Sequence, residues 1–272
     1  MSTSTNRGTT PGTAPGTSTA TPAASRTSPT AAVVRTEAVL FGRELGSLFW
    51  IVLFPTILLV ILGFVPDFTE PDPALGGQRV IDLYASVVVV LATIMAAVMA
   101  MPSVIAGYRE SGVLRRLRTT PVHPAALLGA QVALHAAAVL GSVVLALGTA
   151  RVLHDVPLPG AVGWYAVALV LTTAAAFSVG AVVTAVSASA RVVQTVGTVV
   201  IFPLMFTSGV WMPVQTMSGW LRDVVVATPL GAASEALNDA LHGLRPDLVD
   251  LAVVTGWAAV LSLVAVRLFR WE

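Results

Sequence analysis

The sequence predicts an all-α integral membrane protein with six transmembrane helices, and three observations carry that prediction. Its 272 residues are 56% hydrophobic and only 11% charged, with a mean hydropathy of +0.84, whereas a soluble domain carries about 25% charged residues. Six apolar runs are long enough to cross a hydrocarbon core of about 30 Å, which takes roughly 20 helical residues. The alternation of period two that marks a membrane β-barrel is missing.

In chain order, residues 1–30 form a separate region. Apart from Met1, Asn6, Arg7 and Arg26 they are all Ser, Thr, Pro, Ala or Gly. Nothing there can build a core, so a disordered tail is expected. The region also lacks the apolar stretch of a secretory signal.

Residues 31–46 come next. At helical spacing Val33, Val34, Leu40 and Phe41 share an apolar side, while Arg35, Arg43 and Glu44 stay polar. This predicts a short helix lying along the membrane surface and turning into the first span; the alternative is a solvated flank.

The six spans are expected at 47–65, 83–106, 125–150, 164–187, 192–212 and 249–269. The fourth and fifth are separated only by a short joint around Ser187 to Arg191, which predicts a tight helical hairpin. Ionisable groups are almost absent from the spans. His135 in the third is the one deep exception, and it is expected to hydrogen-bond within the bundle rather than relay protons.

Three segments outside the spans stand out. The loop of residues 107–124 holds Leu114 and Leu117 at i, i+3 among three arginines, and Pro121 and Pro124 then close it. It reads as a short amphipathic helix that a motor protein can grip, or equally as a loop whose arginines contact anionic headgroups. Residues 202–243 are too apolar for a free loop and are interrupted at Pro213, Gly219, Pro229 and Gly231. They predict short helices that dip back into the membrane, where only protein or water can satisfy such backbone, or else a compact cap on the bundle. Glu235, Asp239 and His242, at i, i+4 and i+7, share one side of a short helix. A solvated face explains that trio without chemistry, and no metal site is assigned to it.

Direction follows from the arginines. Eleven of the fifteen (Arg7, Arg26, Arg35, Arg43, Arg109, Arg115, Arg116, Arg118, Arg191, Arg267 and Arg270) fall on one side of the six-span map. Arg79, Arg151, Arg222 and Arg245 fall on the other. The bias puts both termini in the cytoplasm. Aromatic residues agree, with Trp50, Tyr108 and Trp271 near inner ends and Tyr84, Trp164, Tyr165 and Trp211 near outer ones. Only Trp257 lies well inside a span.

Lysine and cysteine are absent. That excludes a Schiff-base lysine, the lysine of a standard phosphate-binding loop, thiolate metal sites and disulfides. The chain therefore has no standard phosphate-binding loop of its own.

Taken together, residues 31–272 resemble the membrane subunit of ABC-2 type exporters, in particular the permeases of the daunorubicin/doxorubicin-resistance group from high-GC bacteria. The most specific part is Glu110-Ser-Gly-Val-Leu-Arg-Arg-Leu-Arg-Thr-Thr-Pro-Val122, which is similar to the family's E-x-G-x-L-x-x-L-x-x-x-P-[VI] signature. Phe206-Thr-Ser-Gly209 with Pro213, then Met217 with Trp220-Leu221, then Thr228-Pro229-Leu230 resemble the later motifs. Ser218 stands where the family often has proline, and Thr228 where it usually has asparagine.

The resemblance implies a bacterial plasma-membrane permease, itself no enzyme, with no cofactor of its own and no nucleic-acid partner, that works with two ATP-binding subunits, which hold ATP and Mg, and with a second permease copy, among membrane lipids. It makes the 31–46 segment an elbow helix with Arg35, Glu37, Arg43 and Glu44. It assigns coupling to the ATPase to Glu110, Gly112, Leu114, Arg115, Arg116, Leu117, Thr120 and Pro121. Gly209, Pro213, Trp220 and Pro229 would shape an outer re-entrant gate. Met95, Met99, Phe202, Met205 and Phe206, on the second and fifth spans, are its candidates for an apolar, adaptable substrate path. The expected cargo is an amphipathic drug-like or lipid-like molecule; polysaccharide or glycolipid export is the alternative within the same architecture. An ion-gradient carrier and a non-transporting membrane scaffold are the rivals from other classes.

Overall fold

The computed structural model describes residues 2–3, 29–113, 116 and 124–268. The expected tail falls almost wholly outside the described residues, as do Leu114, Arg115, Leu117, Thr120, Pro121 and Trp271. The fold is all-helical. With isolated single turns left unlabelled, the helices are α1 (Pro29–Phe41), α2 (Leu45–Leu62), α3 (Val80–Glu110), α4 (Pro124–His154), α5 (Val162–Val186), α6 (Ala190–Thr207), α7 (Trp220–Val226), α8 (Pro229–Leu241) and α9 (Leu248–Leu268). Six of them, α2 to α6 and α9, are long and apolar enough to cross a membrane.

Local chemistry sets the helix ends. Pro124 opens α4, where its missing N–H costs nothing. Ser189 caps α6 by accepting from Val192 N at 3.4 Å. α3 outruns the expected 83–106 at both ends because polar bonds continue the helix beyond its apolar part. At one end Arg79 pairs with Asp82 (2.7 Å) and donates to the His154 and Asp155 carbonyls at the end of α4. The bond to Asp82, against a smaller cost of burial, raises the Arg79 pKa above its ordinary value. At the other end Tyr108, Arg109 and Glu110 all find partners, described below. α6 stops at Thr207, short of the expected 212, because Gly209 adopts φ +90° and turns the chain.

The central helix is α3. Within its most apolar window 83% of residues are buried, against 11% for α6 and for α9. It is surrounded by α2, α4, α5, α6 and α8, while α9 packs outside α5 and α8 and α1 lies across α4. Two helices widen locally into π geometry, α2 at Phe49–Leu53 and α3 at Met95–Ala100. Each stretch precedes a proline, Pro55 or Pro102. A proline ring crowds the carbonyl four residues back, here Ile51 and Val98, and donates no bond to it. The helix relieves this by bonding over five residues instead of four.

Close neighbours press on the widened part of α3. A Cβ built on Gly180 of α5 would stand 1.8 Å from Ala97 O, and one on Gly197 of α6 would stand 3.3 Å from Val98 O. Both glycines let foreign backbone approach α3 where it bulges.

Two expected belt residues are instead interior. Tyr165 is buried, and Tyr84 is buried against Phe68 with a stacked ring pair 5.8 Å apart. Packing against neighbouring elements claims both rings before an interface can. Trp50, Trp164 and Trp211 remain exposed.

Candidate functional site

At the arginine-rich end, α3 finishes in a cap. Ser111 N donates to Gly107 O (2.9 Å), Gly112 N donates to Arg109 O (3.2 Å), and Gly112 adopts φ +71°. Only glycine takes that conformation cheaply, so Gly112 ends the span and redirects the chain. Arg116 N then donates to Gly112 O at 3.1 Å. The remaining predicted coupling residues lie outside the described residues.

This end of α3 holds the α5–α6 hairpin from two sides. Arg109 Nη1 donates to Ser187 O at 2.5 Å, just past the end of α5. Glu110 Oε1 accepts from Ala190 N at 2.8 Å, at the start of α6. A carboxylate at a helix N-terminus satisfies an unpaired N–H and complements the helix dipole. Adjacent residues of one helix thus grip the two arms of the hairpin.

One residue before Arg109, Tyr108 joins α3 to α1. Its hydroxyl donates to Glu37 Oε2 at 2.5 Å, and Gln131 Nε2 of α4 donates to the same oxygen at 2.5 Å. Glu37 is 7% exposed. Glu37 faces the bundle, while Val34 and Leu40 are exposed on α1, as are Arg35, Arg43 and Glu44. Two donors from neighbouring helices make that burial tolerable for a carboxylate. Next along α4, His135 is fully buried, with Nδ1 2.8 Å from Gln131 O and its ring edge-on to Phe41 at 4.8 Å.

The opposite end is built from α7 and α8. Thr228 caps α8 by accepting from Gly231 N at 3.2 Å, a task asparagine performs equally well. The departure from the family motif therefore preserves its physical role. Gly231 permits a tight crossing, since a Cβ there would stand 2.0 Å from Val225 O. Trp257 Nε1 donates to Ala227 O at 2.9 Å. Trp257 lies nine residues into α9, so the α7–α8 turn sits about 14 Å along that helix at 1.5 Å per residue. At its far end α8 meets the start of α5, with Gly160 N donating to Leu241 O (3.0 Å) and Ala161 N to Ala240 O (3.1 Å).

Nearly every residue of α8 is buried. The expected solvated face is overturned for Glu235, which is 6% exposed. Its carboxylate accepts from Arg222 Nη2 at 2.9 Å and from Gln215 Nε2 at 3.4 Å. α8 runs inside the bundle against α3, α5 and α9, so its charge is met by α7 rather than by water. Among the described residues, no three His, Asp or Glu side chains group in a way that could hold a metal ion.

The remaining predicted positions are spread out. Met95 is 7% exposed and belongs to the core, Met99 and Met205 are half-buried, and Phe202 and Phe206 are exposed on α6. Gly209 and Pro213 form the turn after α6, where a Cβ on Gly209 would stand 3.1 Å from Val214 N. Trp220 opens α7 and is exposed, and Pro229 occupies the first position of α8. The sequence reading missed the partners Tyr108, Gln131, Ala190 and Arg222. One signal for the first pair was present: Gln131 is a lone amide in an otherwise apolar span, and such groups seek partners.

Comparison with known proteins matches the model of the ABC-2 type transporter family to residues 30–241 of this chain. A curated relative is the daunorubicin resistance ABC transporter permease protein DrrB1 of Streptomyces coeruleorubidus. It is 29% identical over 234 residues, covering 81% of this chain and 78% of the relative.

Proposed function

From the premise that the chain belongs to the ABC-2 type transporter family, we propose that it is the permease subunit of an ATP-driven exporter of amphipathic, drug-like or lipid-like molecules. Two ATP-binding subunits supply the energy and hold ATP and Mg, and a second permease copy completes the pathway. Both termini lie in the cytoplasm, in line with the arginine bias.

The observation that carries this reading is the double grip of Arg109 and Glu110 on the α5–α6 hairpin. A push delivered on residues 110–121 reaches α6 through one hydrogen bond and α5 through another. It reaches α1 through Tyr108 and Glu37. The π stretch of α3, pressed by Gly180 and Gly197, is where those displacements are absorbed, since such stretches lack regular helical bonding. Coupling of this kind biases two packings of one bundle.

The bond from Trp257 to Ala227 supports an α7–α8 segment that enters the outer leaflet and gates release. The drug-like cargo is supported by the relative described as a daunorubicin resistance permease. The scarcity of ionisable groups in the spans weighs against an ion-gradient carrier.

The test is uptake of a fluorescent amphipathic dye into inside-out vesicles carrying this chain and an ATP-binding subunit, since inversion turns export into uptake. Transport that needs ATP and survives an ionophore is expected. Transport that survives ATP removal and collapses with the ionophore contradicts the proposal.

A further inference from the structure

We propose that the arginine-rich end of the bundle holds a structural site for an anionic phospholipid, with one acyl chain inside the protein. A cavity of about 260 Å³ lies there among α3, α4, α5 and α9. Ile105 forms its floor, Leu128 and Val132 one wall, Ala181 and Thr184 the other, and Val266 its outer lip. It exists because α4 and α9 make at most marginal contact with each other, although both lie alongside α5 or α3. The two helices leave a slot facing the bilayer.

Three observations select the occupant. The first is chemistry: Thr184 is the one polar residue among those lining the cavity, and its hydroxyl already donates to Gly180 O at 2.8 Å. The slot offers no free side-chain donor to a polar cargo, and a hydrocarbon chain needs none. The second is depth. Ile105 lies five residues before the end of α3, about 8 Å from the polar boundary at 1.5 Å per residue. That is acyl-chain depth beneath a headgroup. The third is charge. Arg109 lies one turn beyond Ile105 in the last turn of α3, and exposed Arg267 lies beside Val266 in the last turn of α9. Among the described residues Arg267 has no carboxylate within ion-pair distance. Basic residues above an apolar slot between spans fit a phosphate-bearing headgroup, with the arginine stems lying along the chain. Filling the slot ties α9 to α4, between which the protein's own contact is at most marginal.

The test uses full-length protein reconstituted in an equimolar mixture of phosphatidylcholine and phosphatidylglycerol. It is then extracted in mild detergent and weighed by native mass spectrometry. Wild type is expected to retain phosphatidylglycerol in severalfold excess over phosphatidylcholine. Ala181→Phe fills the slot and Arg267→Gln removes the surface charge, and each is expected to abolish the excess; Arg267→Gln is exposed and keeps the test valid if the first variant does not fold. Gly141→Ala, remote from the slot, should keep it. Equal retention of the two lipids by wild type overturns the proposal, as does an unchanged excess in both variants. Retention of the amphipathic dye in place of lipid, lost on Ala181→Phe, also overturns it and makes the slot a cargo site.

Discussion

Glu110 Oε1 accepts a hydrogen bond from Ala190 N across 2.8 Å, joining the last residue of the central helix to the first residue of α6. The two are eighty residues apart in sequence, and the bond sits beside the Arg109 contact to Ser187. Force applied beyond Glu110 therefore has a short route into the fourth and fifth spans. On the other side of α3, Tyr108 carries the same displacement into α1.

Gly180→Ala is expected to destabilise the protein by about 1–3 kcal/mol, the range for overpacking a tight contact. Its Cβ would stand 1.8 Å from Ala97 O, backbone that cannot step aside cheaply. Gly141→Ala, with nothing within 4 Å of the added carbon, should be neutral or slightly stabilising. Thermal melting of the detergent-solubilised variants reads the difference.

Tyr108→Phe removes one of two donors to a buried carboxylate. A cost of about 1–3 kcal/mol is expected. Because α1 is held to α3 through that bond, protease cleavage within residues 31–46 should accelerate in the variant. Unchanged cleavage and melting would show that Glu37 does not anchor α1.

Thr228→Ala removes the cap of α8 and is expected to cost about 1 kcal/mol, while Thr228→Asn should restore the cap and the stability. Equal melting temperatures for the alanine and asparagine variants would contradict a capping role.

Arg222→Ala leaves Glu235 buried with only a long bond from Gln215. Arg222 is itself half-exposed, so the loss is expected below the several kcal/mol of a fully buried pair, at about 1–2 kcal/mol. The double variant Arg222→Met with Glu235→Leu should recover most of it, and a double-mutant cycle in melting experiments checks the coupling.

Much of this was legible in the sequence for simple reasons. Apolar runs of span length become spanning helices because no other backbone satisfies itself in hydrocarbon, so all six were placed within a few residues. Their ends were not, because hydropathy marks where the membrane stops, whereas the helix of α3 continues as long as Tyr108, Arg109 and Glu110 find partners. Pro55 and Pro102 were visible inside apolar runs and explain both π stretches. α8 misled because Glu235, Asn238 and Asp239, with His242 just past its end, give it a polar composition. Its burial depends on Arg222, which reaches Glu235 from a separate helix, and on the crossing at Gly231; neither is a local signal. The burial of Glu37 likewise has no local signal, since its partners lie 71 and 94 positions away.

The most direct test of the account is ATP-dependent export by Glu110→Ala combined with Arg116→Ala, co-expressed with an ATP-binding subunit. The variant should reach the membrane in wild-type amount and still bind that subunit, because neither side chain lies in the core. Its ATP-driven dye export should fall to the level of vesicles lacking ATP. Export at the wild-type rate would contradict coupling through this end of α3.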